Sequence, residues 1–260
     1  MLARFANLLA RPAERGPADA RVPDGVRVYA IGDVHGRRDL LDALLMQIGL
    51  DDADRGRADT RIVLLGDLVD RGPDSMGCVA RAMELAARGA TVLLGNHEAM
   101  FLDALDDVEA LRHFLRVGGQ PTILSYGLTA GMAADDYVAL TLEELHARLP
   151  ALVPPDHADF LRGLPLSARI GDYLFVHAGL RPGVPLAEQR REDMIWIRDR
   201  FLDSNLDHGA VVVHGHSIAK EVEERPNRIG IDTGAYASGR LTAVCLEGGQ
   251  RWYLQTGGAG

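Results

Sequence analysis

Short apolar runs recur along the chain, and each ends at once in Gly, Asp or His. Residues 26–31 lead into GDVHG, 61–65 into GDLVDRG, and 90–94 into GNHE. Further on, Tyr173 to Val176 leads into HAG, Ala210 to Val213 into HGH, and Arg228 to Ile231 into DTG. Runs of this length, bounded by turn residues, predict buried strands. Between the first three the period changes to that of a helix. Leu40, Leu41, Leu44, Leu45 and Ile48 share one face of a helix predicted over 37–48. Residues 50–60, polar and with four Asp, read as a solvated turn. Pro73 suits the first turn of a second helix, which runs to about Arg88 and stops at Gly89. Strand, loop and helix repeated this way predict βαβ units with parallel strands, in an α/β fold. Ligand groups in such sheets gather at the carboxyl ends of the strands, where all three motifs lie.

Residues 98–165 change character. Leu102, Leu105, Leu111 and Leu115 suggest helix, as do Leu142, Leu145 and Leu149, with a mixed loop around Gly118 and Gly119. We read a mostly helical insertion over one edge of the site, a place for substrate selection. Its charges read as a solvated face, and His113, His146 and His157 as surface residues. From Ser167 strands return; Leu241–Leu246 and Trp252–Leu254 complete a set expected to form a second sheet packed on the first. Residues 1–25, with Pro12, Gly16, Pro17, Pro23 and Gly25, read as an arm leading into a single domain over 26–255. The opening MLARFANLLARP is interrupted by Arg4 and Arg11, so it lacks the apolar core of a secretory signal. A frayed helix or mobile arm is the expectation there, ahead of a weak membrane-surface anchor.

Composition narrows the classes. The chain has 260 residues, 47% hydrophobic and 25% charged, near the upper size for one core. A net charge of −9 argues against nucleic acid or a membrane surface as a bulk partner. It leaves room for a local cationic or metal site. Lys220 is the sole lysine, and the other basic residues are Arg. Cys78 and Cys245 lie far apart among apolar neighbours, which predicts buried thiols and no disulfide framework. No run is long enough to span a membrane, so a cytoplasmic location is the default expectation.

The candidate chemistry centres on GDLVDRG. It places carboxylates Asp67 and Asp70 and the guanidinium of Arg71 in one loop. Neighbouring carboxylates are costly without a positive partner, and a metal is one answer. Asp33 and His35 are two apart, so in extended backbone both point the same way. Taken singly the candidates are weak. Asp33 suits a turn cap, Asn96 and His97 suit a helix start, and His177 and His216 suit satisfied core histidines. Their force is in conjunction: Asp33, His35, Asp67, Asn96, His177 and His216 all fall where apolar runs end, beside glycine. A single catalytic site rarely takes six protein ligands, because it keeps positions open. Two ions sharing a carboxylate use the set better, and Asp67, from the central motif, is the bridging candidate. Mixed N and O ligands without Cys admit Mn, Fe, Zn or Co, with Mn preferred. His214, two residues before His216, reads as a supporting or core residue. Glu98 reads as a helix-start carboxylate.

Taken together, GDVHG, GDLVDRG, GNHE, VHAG and the later GH resemble the phosphoprotein phosphatase branch of the calcineurin-like metallophosphoesterases. The VHAG form is similar to the small bacterial serine/threonine protein phosphatase type. The resemblance implies a β-sandwich flanked by helices with a dinuclear site. It implies one metal on Asp33, His35 and Asp67, and the second on Asp67, Asn96, His177 and His216. It implies His97 as general acid, Asp70 as the carboxylate that orients it, and Arg71 as a phosphate-binding residue. Arg198, in WIRDRF, is the match for a second phosphate-binding arginine; a surface ion pair with Asp199 or Glu192 is its competing role. Chemically, two cations generate hydroxide from a shared water, which attacks phosphorus directly without a phosphoenzyme. Arg71 offers paired donors to phosphate oxygens. The implied substrates are phosphoserine or phosphothreonine in proteins, with phosphotyrosine and small aryl phosphates as extensions. Bacterial enzymes that cleave diadenosine tetraphosphate symmetrically share VHAG-like and DTG-like segments and form the alternative. A non-catalytic phosphate-binding module is the third class. Oligomeric state has no signature in the sequence.

Overall fold

The first strand already shows the layering, since its side chains alternate between two apolar environments. In a computed structural model, described over residues 19–257, β1 is Val26–Ile31. Val28 and Ala30 pack with Val63, Leu65, Phe175, Val213 and Ile229, between two sheets. Tyr29 and Ile31 face the other way, against Leu41, Leu44 and Val79 of the helices. Period two on the strand and a stripe on the helix bury both elements with one set of residues. Each fully buried aliphatic side chain contributes about 1.5–3 kcal/mol, against about 0–1 for an exposed ion pair, so these layers hold the fold.

The remaining strands are β2 (Asp59–Leu64), β3 (Thr91–Val92), β4 (Ser167–Ile170), β5 (Tyr173–Val176), β6 (Val211–His214), β7 (Glu223–Arg225), β8 (Arg228–Gly230), β9 (Thr242–Glu247) and β10 (Gln250–Gln255). The first sheet runs β10-β9-β1-β2-β3 and the second β4-β5-β6-β8-β7. In the first, β1, β2 and β3 are parallel, with Ile31 opposite Leu64 and Leu64 opposite Val92. In the second, β5, β6 and β8 are parallel. Helices α1 (Arg38–Asp54), α2 (Ser75–Ala87) and α3 (Asn96–Asp106) follow the first three strands. Asp74 caps α2, its side chain accepting from the Gly77 amide. A third apolar layer, with Leu174, Val176, Met194 and Phe201, covers the outer face of the second sheet. The result is the two-sheet sandwich flanked by helices that the motifs implied.

Several expectations change. The last two strands do not join the second sheet: β9 lies antiparallel to β1, and β10 to β9. Periodicity names a strand but not its partner. The polar stretch at 50–60 is largely helix and strand. α1 continues through Asp54 because Asp51 accepts from Tyr29 Oη and Trp252 Nε1, and Asp52 from Arg27. The third strand is shorter than 90–94, since the Leu94 amide leaves the ladder for the Pro165 carbonyl. The insertion is helical as expected, with α4 (Val108–Phe114), α5 (Gln120–Thr129), α6 (Ala134–Ala139), α7 (Leu142–Leu152) and α8 (Pro155–Arg162). Its expected loop at Gly118 and Gly119 is a kinked helical turn, Leu115–Gly119. His157 is buried rather than superficial, its Nδ1 bonded to Tyr126 Oη at 3.0 Å. Cys78 and Cys245 are free and buried. No described helix is long and apolar enough to cross a membrane. The MLARFANLLARP stretch and the expectation made for it lie outside the described residues.

Candidate active site

Among the described residues only five non-glycine positions have positive φ: His35, Asp67, Asp70, Arg71 and His216. All five belong to the predicted site. The left-handed region costs a residue with a Cβ about 1–2 kcal/mol, so the strain has been concentrated where chemistry is expected. Two tight crossings hold these loops. The Val34 and His35 amides donate to the Asp67 carbonyl, and the Gly36 amide to that of Leu68. Glu98, fully buried at the start of α3, accepts from the amides of Gly95, Asp67, Leu68 and Val69. The helix-start reading of Glu98 understated it: the carboxylate laces GNHE to GDLVDRG. A Cβ on Gly95 would collide with Asp67 Oδ1, which explains the glycine.

Asp67 stands between two groups. Its Oδ2 is 3.5 Å from His35 Nε2, and its Oδ1 is 3.4 Å from His177 Nε2. Each imidazole is fixed from behind. His35 Nδ1 donates to the Val69 carbonyl at 2.8 Å and His177 Nδ1 to the Leu65 carbonyl at 2.9 Å. A carbonyl only accepts, so each Nε2 of a neutral ring is a lone pair. Burial keeps both rings neutral, lowering His177 to about 3. His177 Nε2 then meets Asn96 Oδ1 at 2.9 Å as well as Asp67 Oδ1. Three acceptors converge with no hydrogen between them, an arrangement that suits a cation.

Asp33 and His216 complete the set. The Asp33 Oδ2 accepts from the His216 amide at 3.0 Å. Asp33 Oδ1 and His216 Nε2 are both buried without a hydrogen-bond partner. Buried polar atoms rarely stay unpaired, so these atoms too fit a bound cation. Ligand atoms of Asp67, His177 and His216 lie within 4.8 Å of one another, as do those of His35, Asp67 and His97. The donor chemistry, O and imidazole N without sulfur, fits the divalent metals that the resemblance of the motifs implies. Burial raises the Asp33 carboxyl well above its usual range, helped by Asp232 and Asp67. Asp232 was missed in the sequence. It is buried, accepts from the Gly234 amide and lies close enough to Asp33 for its charge to raise that carboxyl. Its signal was available: DTG follows an apolar run just as the other motifs do.

His97, Asp70 and Arg71 form a second group beside these donors. His97 Nδ1 contacts Asp70 Oδ2 at 2.5 Å, and its Nε2 meets Arg71 Nη2 at 3.1 Å. Arg71 Nη1 reaches His35 Nε2, also at 3.1 Å. Asp70 is gripped by the insertion: Thr122 Oγ1 of α5 donates to Asp70 Oδ1 at 2.6 Å, and Ser75 Oγ and Thr122 Oγ1 face its amide. The Arg71 amide donates to the Gly118 carbonyl, on the kinked turn. Thr122 and Gly118 were not legible as site residues, since nothing local marks them.

Arg198 is exposed, and its charge acts on Asp67, His97, His177 and His216. It pairs with neither Asp199 nor Glu192. His214 does not join the group. It points into the second sheet's outer layer, with its ring 5.1 Å from Phe201 and Nε2 near Arg228.

The model of the family described as calcineurin-like phosphoesterase matches residues 26–238. A serine/threonine-protein phosphatase 1 of Salmonella typhimurium is 30% identical over 228 residues, covering 85% of this chain and 92% of that protein. A symmetrical bis(5'-nucleosyl)-tetraphosphatase of Chromohalobacter salexigens is 34% identical over 266 residues, covering 85% and 95%. Among solved structures, one provisionally assigned as a diadenosine tetraphosphatase is 25% identical, covers 92% of this chain and all of that one, and superposes with a TM-score of 0.60.

Proposed function

The chain belongs to the calcineurin-like phosphoesterase family and is a hydrolase, and from that premise we infer that it acts as a serine/threonine protein phosphatase, with phosphotyrosine and small phosphoesters also admitted. The observation that carries the phosphoesterase part of the reading is Asp67 with one oxygen turned to His35 and the other to His177; the choice of a phosphoprotein rests on the protein phosphatase relative. That is the posture of a carboxylate shared by two ions. In this reading Asp33, His35 and Asp67 hold one metal, and Asp67, Asn96, His177 and His216 the other. The ions, for which we choose manganese over iron, zinc or cobalt, would neutralise phosphate charge and acidify a water.

The side chains do the rest. Arg71 and Arg198 hold the phosphate oxygens, and Asn96 lies beside them. Arg71 already bridges the two halves of the site, donating to His35 and His97. Asp70 keeps the His97 ring fixed through Nδ1; once Arg71 turns from Nε2 to the phosphate, Nε2 can take up a proton from solvent and pass it to the leaving oxygen. Thr122 and Ser75 fix Asp70 in turn. No side chain is assigned as nucleophile; water attacks phosphorus.

A second reading has its own support. Relatives named as symmetrical bis(5'-nucleosyl)-tetraphosphatases match over as much of the chain as the protein phosphatase does. Manganese-loaded protein, given diadenosine tetraphosphate and a phosphoserine peptide side by side, separates the two. We expect faster phosphate release from the peptide. Preferential release of ADP would overturn the protein phosphatase reading. Activity on neither, unchanged by His97→Asn, would leave a phosphate-binding module.

A further inference from the structure

Three large apolar side chains are exposed around the proposed centre, each tied to one of its histidines. The Trp196 ring is 6.2 Å from that of His216, the Tyr236 ring is 5.5 Å from that of His35, and Ile218 lies two residues after His216. Single exposed hydrophobic residues are ordinary, but a group at a site mouth is a recognition surface. Tyr236 is the best placed. The guanidinium carbon of Arg71 lies 4.7 Å from the centre of its ring, so the tyrosine touches the side chain assigned to the phosphate. The ring remains 36% exposed. It also lines a groove of about 370 Å³, whose other walls include Ile218, Ala237, Lys220 and Arg240. That volume is within the range of small-ligand sites. The groove is firmly built. A Cβ on Gly234, at a φ of +68°, would stand 3.1 Å from Ile218 Cγ2, and Arg240 donates to the Lys220 carbonyl and to Glu221.

We propose that this groove is a leaving-group subsite, with Tyr236 as the specificity residue that stacks on a flat aromatic ring bonded through oxygen to the scissile phosphate. The proposal rests on the reading above, in that it takes the phosphate to sit at Arg71. An aryl phosphate carries its ring one oxygen from phosphorus. A phosphate held by Arg71 therefore brings that ring alongside Tyr236, where aromatic pairs gain energy beyond simple burial. A nucleobase is the other source of a flat ring. It is separated from the scissile phosphate by ribose and further phosphates, so its ring stands farther from Arg71 than an ester-linked aryl ring does. An alkyl ester, as in phosphoserine, offers nothing to stack.

The test measures binding without turnover. Manganese-loaded full-length protein is titrated calorimetrically with benzylphosphonate, whose methylene stands in for the ester oxygen, with ethylphosphonate and with adenosine 5'-methylenediphosphonate. In the wild type we expect benzylphosphonate to bind about five- to tenfold tighter than ethylphosphonate. Tyr236→Phe keeps that ratio, and Tyr236→Ala brings it near one with metal content unchanged. Equal affinity for the two phosphonates in the wild type would overturn the proposal, as would a ratio preserved in Tyr236→Ala. Preference for the adenosine compound alone, lost in Tyr236→Ala, would assign the groove to a nucleobase and overturn the aryl assignment. Hydrolysis of a phosphoester panel is measured on the same samples. A phenyl preference without any turnover would refute the enzymatic reading and leave the subsite standing.

Discussion

The two ends of β1 carry buried charge in opposite ways. At its start, Arg27 is fully buried and every nitrogen of its guanidinium is used. Nε and Nη2 grip Glu247, Nη1 reaches the Asp52 carboxylate and the Asp52 and Gly56 carbonyls, and Nη2 also meets the Arg55 carbonyl. Just beyond its other end, Asp33 and His35 join buried donors that are left open, with Asp33 Oδ1 and His216 Nε2 unpartnered. Strain divides the same way. His35, Asp67, Asp70, Arg71 and His216 take positive φ near the second end, and no described non-glycine residue does so near the first. A closed network serves the fold, because removing one partner strands the others. An open one detracts from the fold and is retained for a ligand. The contrast predicts that substitutions at the first end unfold the protein, while those at the second silence it.

The largest effect expected is on activity. Arg71→Ala should lower kcat/KM by about 10²–10³, the loss usual for a preorganised donor to a transition-state oxygen. Asp67→Asn should lower it further, because it disturbs both halves of the donor set; steady-state kinetics at saturating manganese compare them. At the other end, Arg27→Met leaves Glu247 and Asp52 without their cation and should cost about 3–5 kcal/mol in urea unfolding, while residual folded protein keeps its turnover. Asp67→Asn should leave metal-free stability equal or higher, since a buried carboxylate in a strained loop is removed. If both variants lost stability equally, the contrast would fail. A middle case is Thr122→Val, which removes the hydroxyl that donates to Asp70. We expect about a tenfold fall in kcat with KM little changed, reflecting about 1–1.5 kcal/mol for the lost hydrogen bond. The smallest effect belongs to Gly118→Ala. Gly118 has a φ of +112°, and a Cβ there would stand 3.1 Å from Arg71 Cγ. A rise in KM of a fewfold, with a stability loss of about 1 kcal/mol, is expected.

What was legible in the chain follows from how local each device is. GDVHG, GDLVDRG and GNHE are compact because a positive φ, a close backbone crossing and a ligand must occur within a few residues. Glycine marks all three, so the loops could be read without a structure. The same locality marks Asp232, since DTG ends an apolar run just as the other motifs do. Thr122 could not be found that way: it lies 52 residues from Asp70 and sits inside an ordinary helix pattern. The Arg27 network was hidden for the same reason, with Glu247 at a separation of 220 residues. Asp51 and Asp52 looked like solvent-facing acids because their partners Tyr29, Trp252 and Arg27 lie on strands whose neighbours periodicity does not specify. Likewise β9 and β10 were recognisable as strands but not as the extension of the first sheet.

The central claim is that Asp67 serves both halves of the open end. Metal analysis of the wild type and Asp67→Asn after manganese loading and gel filtration tests it most directly. The account predicts two ions per chain in the wild type and fewer than one in the variant, with turnover lost. Two ions retained by Asp67→Asn together with normal turnover would contradict it.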